Sequence, residues 1–156
     1  MTANAQVGKP SLTAAQQRFV SVVKQLERAP LDPNLKDDRA WAVRWLVAAP
    51  DLTVSVCADS LGRVLESKYV HADLVVVQYM LAMGAYILEN PGRVNDLDAQ
   101  QLAGVESALN AYRAIREAQS DQQSPALDNL LALQGKGELP AFVKQAYRQC
   151  LAEGGK

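Results

Sequence analysis

Residues 71–90, with the sequence HADLVVVQYMLAMGAYILEN, are the most informative segment for the fold. Nearly every residue from Leu74 to Leu88 is apolar, and Gln78 is the main exception. A helix that is apolar on all sides is normally buried at the centre of a bundle. This apolar run is shorter than the roughly 20 residues that a membrane-spanning helix needs. We therefore predict a buried central helix over about 71–90, and no membrane span.

A small-residue notch lies within this central stretch. Gly84 follows Ala82 by two positions and directly precedes Ala85. A glycine inside a helix costs roughly 1 kcal/mol relative to alanine. We therefore predict that a neighbouring helix approaches closely at Gly84 and compensates for that cost.

The rest of the chain carries further helical segments, separated by proline, glycine and polar loops. Thr13 and Gln16 have the spacing of a capping box, which predicts a first helix that ends near Arg28. Periodic apolar residues and stop signals predict further helices over about 35–48, 58–67, 96–118, 124–135 and 139–151.

Residues 52–56 alternate apolar and polar side chains, as a strand does. A strand cannot satisfy its backbone alone, and the sequence offers no obvious partner, so we predict an extended lead-in or an early helical turn. The predicted fold is all-α, an irregular bundle of six to seven helices around the central helix. We expect a flexible N-terminal tail over 1–10, a single helical domain over 11–152 and a frayed C-terminus over 153–156.

Composition and charge restrict the class of protein. The chain has 156 residues, of which 49% are hydrophobic and 21% charged. This balance is typical of one globular domain. Sixteen basic and seventeen acidic residues give a net charge of -1. Nucleic-acid binders normally carry a basic excess, so we predict no nucleic-acid partner.

The start of the chain bears on its location. No apolar signal region follows the first residues, as a secretory signal peptide would require. Ala3-Asn4-Ala5 nevertheless matches a signal-cleavage site, and it fits a trimmed mature start.

The two cysteines, Cys57 and Cys150, allow two interpretations. A disulfide between them would stabilise the fold by roughly 4–5 kcal/mol in the chain-entropy model, and it would imply an oxidising compartment. The alternative is a pair of buried free thiols. We favour the disulfide. Two thiols and one distant histidine fall short of a four-ligand zinc site, so we predict neither a metal nor a cofactor.

His71 is the only histidine, and it is the only distinctive candidate for an enzyme. A histidine that acts as a general base needs an orienting acid and a nucleophile, and no such set is apparent near His71. We therefore expect His71 to be a surface or cap residue. His71 could pair with Met80 or Met83 as haem ligands, but the sequence has no C-x-x-C-H attachment motif. We therefore expect those methionines in the core. The common nucleophile, zinc-protease and phosphate-binding motifs are also missing, and we predict no catalytic residue.

Five large side chains are candidates for a pocket beside the central helix: Trp41, Trp45, Tyr79, Met83 and Tyr86. They could bind a small apolar ligand, or they could simply pack in the core. Three hypotheses of function remain open. The preferred one is a non-enzymatic domain that binds an unknown protein partner. The second is a carrier or sensor of a small apolar ligand, and the third is an enzyme of unrecognised type that uses His71.

Four short motifs resemble those of a group of uncharacterised, exported, all-helical bacterial proteins, from about Asp37 onward. They are Pro50-Asp51 before Cys57, Glu89-Asn90-Pro91, Glu106-Ser107-Ala108-Leu109, and Gly137-Glu138-Leu139 before Cys150. The resemblance implies no particular activity. It implies a periplasmic or secreted location, and it favours the disulfide and the trimmed start. A cytoplasmic protein is the alternative.

Overall fold

Six α-helices make up most of residues 11–154, the part of the chain that the computed structural model describes. They are α1 (Ala14–Arg28), α2 (Lys36–Ala48), α3 (Ala72–Glu89), α4 (Leu97–Ala118), α5 (Pro125–Gly135) and α6 (Leu139–Gly154). Short 3-10 turns lie between them, at Pro33–Leu35, Ala58–Leu61, Val64–Glu66 and Pro91–Arg93. Residues 11–154 contain no strand, which confirms the predicted all-α bundle.

Helix α3 is the central helix that the sequence predicts. It packs most extensively against α4, and it also contacts α1 and α2. Its two sides belong to different cores. Val75, Tyr79 and Met83 pack with α4, α5 and α6, whereas Leu81 and Ala85 pack with α1 and α2. This sharing explains why almost every position of α3 is apolar.

The length and composition of α3 would also allow it to cross a membrane. Its 18 residues have a mean hydropathy of 1.3, and 61% of them are buried inside the bundle. The core helix of a soluble protein passes the same test, so α3 by itself is only weak evidence for a span.

Two glycines set how closely the helices pack. A Cβ atom on Gly84 would lie 2.9 Å from Leu46 Cδ1 and 3.3 Å from the Phe19 ring, so α1 and α2 fill the predicted notch. A Cβ atom on Gly104 of α4 would lie 2.8 Å from the main-chain oxygen of Tyr79. At Gly104 the obstacle is backbone, so only glycine permits this approach of α3 and α4.

Residues 58–67 do not form the helix that the sequence predicts. They contain two 3-10 turns, and between these Gly62 and Arg63 both adopt left-handed backbone conformations with φ of 61° and 56°. Positive φ interrupts a right-handed helix, so the predicted helix breaks in the middle. Residues 52–57 have neither helix nor strand, in agreement with the predicted extended lead-in.

Gln78, the polar exception in the central stretch, connects three helices. Its amide nitrogen donates to the Val23 main-chain oxygen at 3.1 Å and to Ser107 Oγ at 2.9 Å. Ser107 in turn donates to Glu27 Oε1 at 2.5 Å. A buried polar group without partners destabilises the fold, and this chain of bonds supplies them across α1, α3 and α4.

The predicted tail over 1–10 lies outside the described residues, as do residues 155 and 156. Helix α6 extends to Gly154 and so continues past Ala152, where we placed the end of the domain. The first helix begins as predicted, because Thr13 and Gln16 make both hydrogen bonds of a capping box.

Candidate functional site

A disulfide joins Cys57 to Cys150, with Cα atoms 6.0 Å apart and a sequence separation of 93. It ties the irregular segment that follows α2 to the C-terminal part of α6. The structure therefore agrees with the favoured disulfide rather than with two free thiols. We call the surface formed by residues 55–66 and the end of α6 around this bond the disulfide corner.

Potential metal ligands also meet at the disulfide corner. The ligand atoms of Cys57, Asp59 and Cys150 all lie within 4.8 Å of one another. Both sulfurs are consumed by the disulfide and neither is a thiolate, which is the form that binds a metal. With the bond intact, this group offers a single carboxylate.

Arg63 is the most unusual residue of the disulfide corner. Among residues 11–154 it is the only non-glycine residue with positive φ. Its guanidinium contacts three carboxylates: Asp59 at 2.6 Å, Glu66 at 2.5 Å and Glu153 of α6 at 3.8 Å. The hydrogen bonds to Glu66 and Asp59 raise the pKa of Arg63. Residues held in unfavourable backbone conformations concentrate at functional sites, which makes this position a candidate.

An apolar cleft of about 60 Å³ opens beside Arg63. Its floor contains Leu61, Val64 and Tyr79, all of which are almost completely buried. Val56 and Leu65 also line the cleft, yet they are 54% and 53% exposed. The cleft therefore combines a buried apolar floor with an exposed apolar rim.

A buried polar network fixes the floor of the cleft to the bundle. The Tyr79 hydroxyl donates to Gln101 Oε1 at 2.5 Å and accepts a hydrogen bond from the Cys57 backbone N–H at 3.0 Å. Ser60 Oγ also donates to Gln101 Oε1, and the Gln101 amide donates to the Ser55 main-chain oxygen at 2.5 Å. Burial raises the pKa of Tyr79, so this hydroxyl stays protonated as a donor.

The sequence alone did not point to Arg63 or Gln101. Gln101 is a polar residue at a buried position of α4. Nothing in the sequence around it indicates that its partner is Tyr79 on α3. The left-handed conformation of Arg63 has no sequence signal apart from the preceding Gly62, because arginine rarely adopts positive φ.

The structure does not bring the five predicted pocket residues together. Trp41 and Trp45 stack with ring centres 6.1 Å apart and pack against the core of α1 and α2. Tyr79 and Met83 lie in the other core, and Tyr86 is half-buried near the end of α3. Of these, Tyr79 lines the cleft of the disulfide corner.

A second concave surface, which we call the end groove, lies where α1 begins and α3 ends. Its volume is about 460 Å³, and an adjoining recess of about 210 Å³ contains Trp45. The two share Gln16, Asp51 and Leu52. The residues that line the end groove are Ser11, Leu12, Gln16, Asp51, Leu52, Ile87, Leu88, Pro91 and Val94.

His71 directly precedes α3 and is half-buried, but its side chain makes no capping hydrogen bond. Its Nε2 lies 2.8 Å from Gln119 Oε1, and its ring meets Tyr69 edge-on at 5.8 Å. The Tyr69 hydroxyl is buried without a hydrogen-bond partner in residues 11–154, and burial raises the pKa of Tyr69 to about 12. His71 thus has an amide partner, whereas a general base is usually oriented by a carboxylate.

No protein-family model matches the chain, and the searches of curated proteins and of solved structures found no match either. The resemblance to exported helical proteins therefore stays a prediction. Proposals of function rest on the geometry of the disulfide corner and the end groove.

Proposed function

We propose that this protein is a non-enzymatic interaction domain that works outside the cytoplasm and binds a partner protein at the disulfide corner. The observation that carries this proposal is the cleft, in which Val56 and Leu65 remain exposed around a buried apolar floor. Single exposed apolar residues are common on protein surfaces, but here they share one concave site. Apolar side chains clustered at such a site favour a partner that removes them from water.

The size of the cleft selects the kind of partner. The cleft has a volume of about 60 Å³. An engineered cavity that binds benzene is larger, at roughly 150 Å³. A branched aliphatic side chain suits the smaller space better than an aromatic ring or a lipid tail. We therefore infer that the cleft accepts one aliphatic side chain of a protein segment.

The rigidity of the disulfide corner supports the same proposal. The Cys57–Cys150 bond and the hydrogen bond from Tyr79 to Gln101 hold the cleft in one shape before any partner arrives. A preorganised site loses less conformational entropy on binding than a flexible one. A disulfide also persists in oxidising compartments, which supports a periplasmic or secreted location.

A pair of leucine variants tests the binding surface. Leu65→Ser removes an apolar rim residue, and Leu97→Ser alters an exposed leucine at the start of α4 that lines neither the cleft nor the end groove. Both positions are exposed, so both variants should keep the unfolding temperature of the parent protein. In affinity capture from periplasmic or secreted extract, we expect the parent and Leu97→Ser to retain a common partner that Leu65→Ser loses. Equal retention by both variants would contradict the proposal.

A thiol count tests the compartment. Protein purified from its own host, with free thiols blocked at lysis, should show no free thiol when it is denatured and alkylated without reductant, and two after reduction. Two labelled thiols before reduction would remove the physical support for an extracytoplasmic location and favour a cytoplasmic protein.

The end groove supports a second candidate function, the carrier or sensor of a small apolar ligand. Its volume is about 460 Å³. Typical ligand pockets have volumes of roughly 300–1,000 Å³, and the end groove falls within that range. We expect a fatty acid or an aromatic compound to raise the unfolding temperature, because a ligand that binds only the folded state stabilises it. Val94→Ser, at the rim, should abolish that rise, whereas Leu65→Ser should not. The absence of any rise across such a panel would exclude this function.

A further inference from the structure

The charges around the cleft indicate the chemistry of the partner, on the condition that the cleft binds a protein segment as proposed. Asp59, Glu66 and Glu153 converge on the single guanidinium of Arg63, at 2.6, 2.5 and 3.8 Å. At neutral pH three negative charges thus face one positive charge. Arg63 and Glu66 line the cleft itself, whereas Asp59 and Glu153 line an adjoining concavity that shares Arg63 with it, so the excess of negative charge lies beside the cleft.

Arg63 does not use up the capacity of these carboxylates to bind a cation. A carboxylate has two oxygens and accepts several hydrogen bonds. Glu66 meets Arg63 through Oε2, and its side chain is still 61% exposed. Glu153 is similarly accessible at the end of α6. A second cation can therefore approach these groups without displacing Arg63.

We propose that the disulfide corner recognises a partner segment in which an aliphatic side chain is flanked by lysine or arginine. The aliphatic side chain enters the cleft between Val56 and Leu65, and the flanking cation meets Glu66 or Glu153. Opposite charges at the rim of an interface mainly set specificity and the rate of encounter. A segment with acidic flanks would bring like charges together at the same rim and is rejected.

Three peptides of equal length test this inference on the full chain with its disulfide intact. Each has glycine–serine flanks, and the centres are Lys-Leu-Lys, Glu-Leu-Glu and Lys-Ser-Lys. Binding is measured from the amide chemical shifts of isotope-labelled protein. We expect Lys-Leu-Lys to shift residues 56–66 and to bind about fivefold more tightly than Glu-Leu-Glu, since an exposed ion pair contributes up to roughly fivefold. It should also bind at least about fivefold more tightly than Lys-Ser-Lys, because serine cannot bury apolar surface in the cleft.

Charge variants locate the cation. Glu66→Gln and Glu153→Gln should each weaken binding of the Lys-Leu-Lys peptide by about two- to fivefold, because each variant removes one attraction between exposed charges. Glu117→Gln changes an exposed glutamate on α4 and should leave binding unchanged. Added salt should weaken binding of Lys-Leu-Lys more than binding of Glu-Leu-Glu, because screening reduces the attraction between exposed charges.

The outcomes separate this inference from the proposed function. If Lys-Leu-Lys and Glu-Leu-Glu bind residues 56–66 equally well, the charge preference is wrong and the cleft still binds an aliphatic side chain. If neither leucine peptide shifts these residues, both proposals fall. If Lys-Ser-Lys binds as tightly as Lys-Leu-Lys, the attraction is purely electrostatic, and a role for the apolar cleft is also contradicted.

Discussion

The α3–α4 pair and the disulfide corner share the side chain of Tyr79, yet they are stabilised in different ways. Between α3 and α4, long helices bury apolar side chains and approach closely at Gly104. At the disulfide corner the chain forms short turns, and a covalent bond, a buried polar network and the ion pairs of Arg63 hold it in place. Val56 and Leu65 stay exposed there, next to the buried Leu61 and Val64. The comparison shows how a small bundle presents apolar groups on a rigid surface.

The largest expected effect comes from removal of the disulfide. The bond closes a long loop, with a sequence separation of 93. Replacing both cysteines, Cys57→Ser with Cys150→Ser, should therefore lower the free energy of unfolding by about 4 kcal/mol. Denaturant unfolding followed by circular dichroism measures the change.

The helical signal of the folded double variant should stay close to that of the parent, since the helices also pack against one another away from the corner. A loss of stability below about 1 kcal/mol, the contribution of a typical hydrogen bond, would show that polar contacts alone hold the corner.

A smaller effect is expected from Gly104→Ala on the α3–α4 side. The added methyl group meets the main-chain oxygen of Tyr79. Overpacking of this kind costs about 1–3 kcal/mol. The gain in helix propensity, about 1 kcal/mol, offsets part of that cost. Gly84→Ala should be milder, because the first atom it meets is the end of the Leu46 side chain.

Gly92→Ala is the matched control for these glycine variants, since, apart from its chain neighbours, no atom of residues 11–154 lies within 4 Å of its added Cβ. It should leave the free energy of unfolding nearly unchanged. If Gly104→Ala behaves like this control, the close contact of α3 and α4 does not determine stability.

The smallest expected loss of stability comes from removing the Tyr79 hydroxyl, which the α3–α4 pair and the disulfide corner share. Tyr79→Phe removes the acceptor of the Cys57 N–H and a donor to Gln101. A buried polar group that loses its partner costs about 1 kcal/mol or slightly more, and we expect a destabilisation of that size. Tyr86→Phe, at a half-buried tyrosine, serves as the control.

Amide exchange locates the effect of Tyr79→Phe. Exchange should accelerate at residues 55–57 in this variant and remain slow in α4, because the lost hydrogen bonds lie at the corner. Uniform acceleration throughout the chain would contradict an independent role of the network at the corner.

The same contrast explains what the sequence alone could predict. Helix α3 and the capping box of Thr13 and Gln16 depend on residues that are close in sequence, and both predictions are confirmed. The helix predicted over 58–67 is wrong, because hydrophobic spacing carries no information about the left-handed pair at Gly62 and Arg63. The cysteine pairing could be proposed but not decided, since it depends on where α6 packs.

The candidate site was the least predictable part of the molecule. Its polar network joins Ser60, Tyr79 and Gln101, which lie far apart in sequence. The five residues of the predicted pocket share a spacing typical of cores, and the structure places Tyr79 and Met83 in one core, Trp41 and Trp45 against the other, and Tyr86 in neither. Periodicity therefore identifies which residues are buried, but not which of them meet.

Site-specific photo-crosslinking is the sharpest test of a binding surface at the disulfide corner. A photoreactive phenylalanine analogue is placed at position 65, in the rim of the cleft, or at position 97, at the start of α4, and the protein is exported in its own host. The proposed function predicts a discrete crosslinked partner from position 65 and none from position 97. Crosslinks of the same partner from both positions, or from position 97 alone, would contradict a binding surface at the disulfide corner.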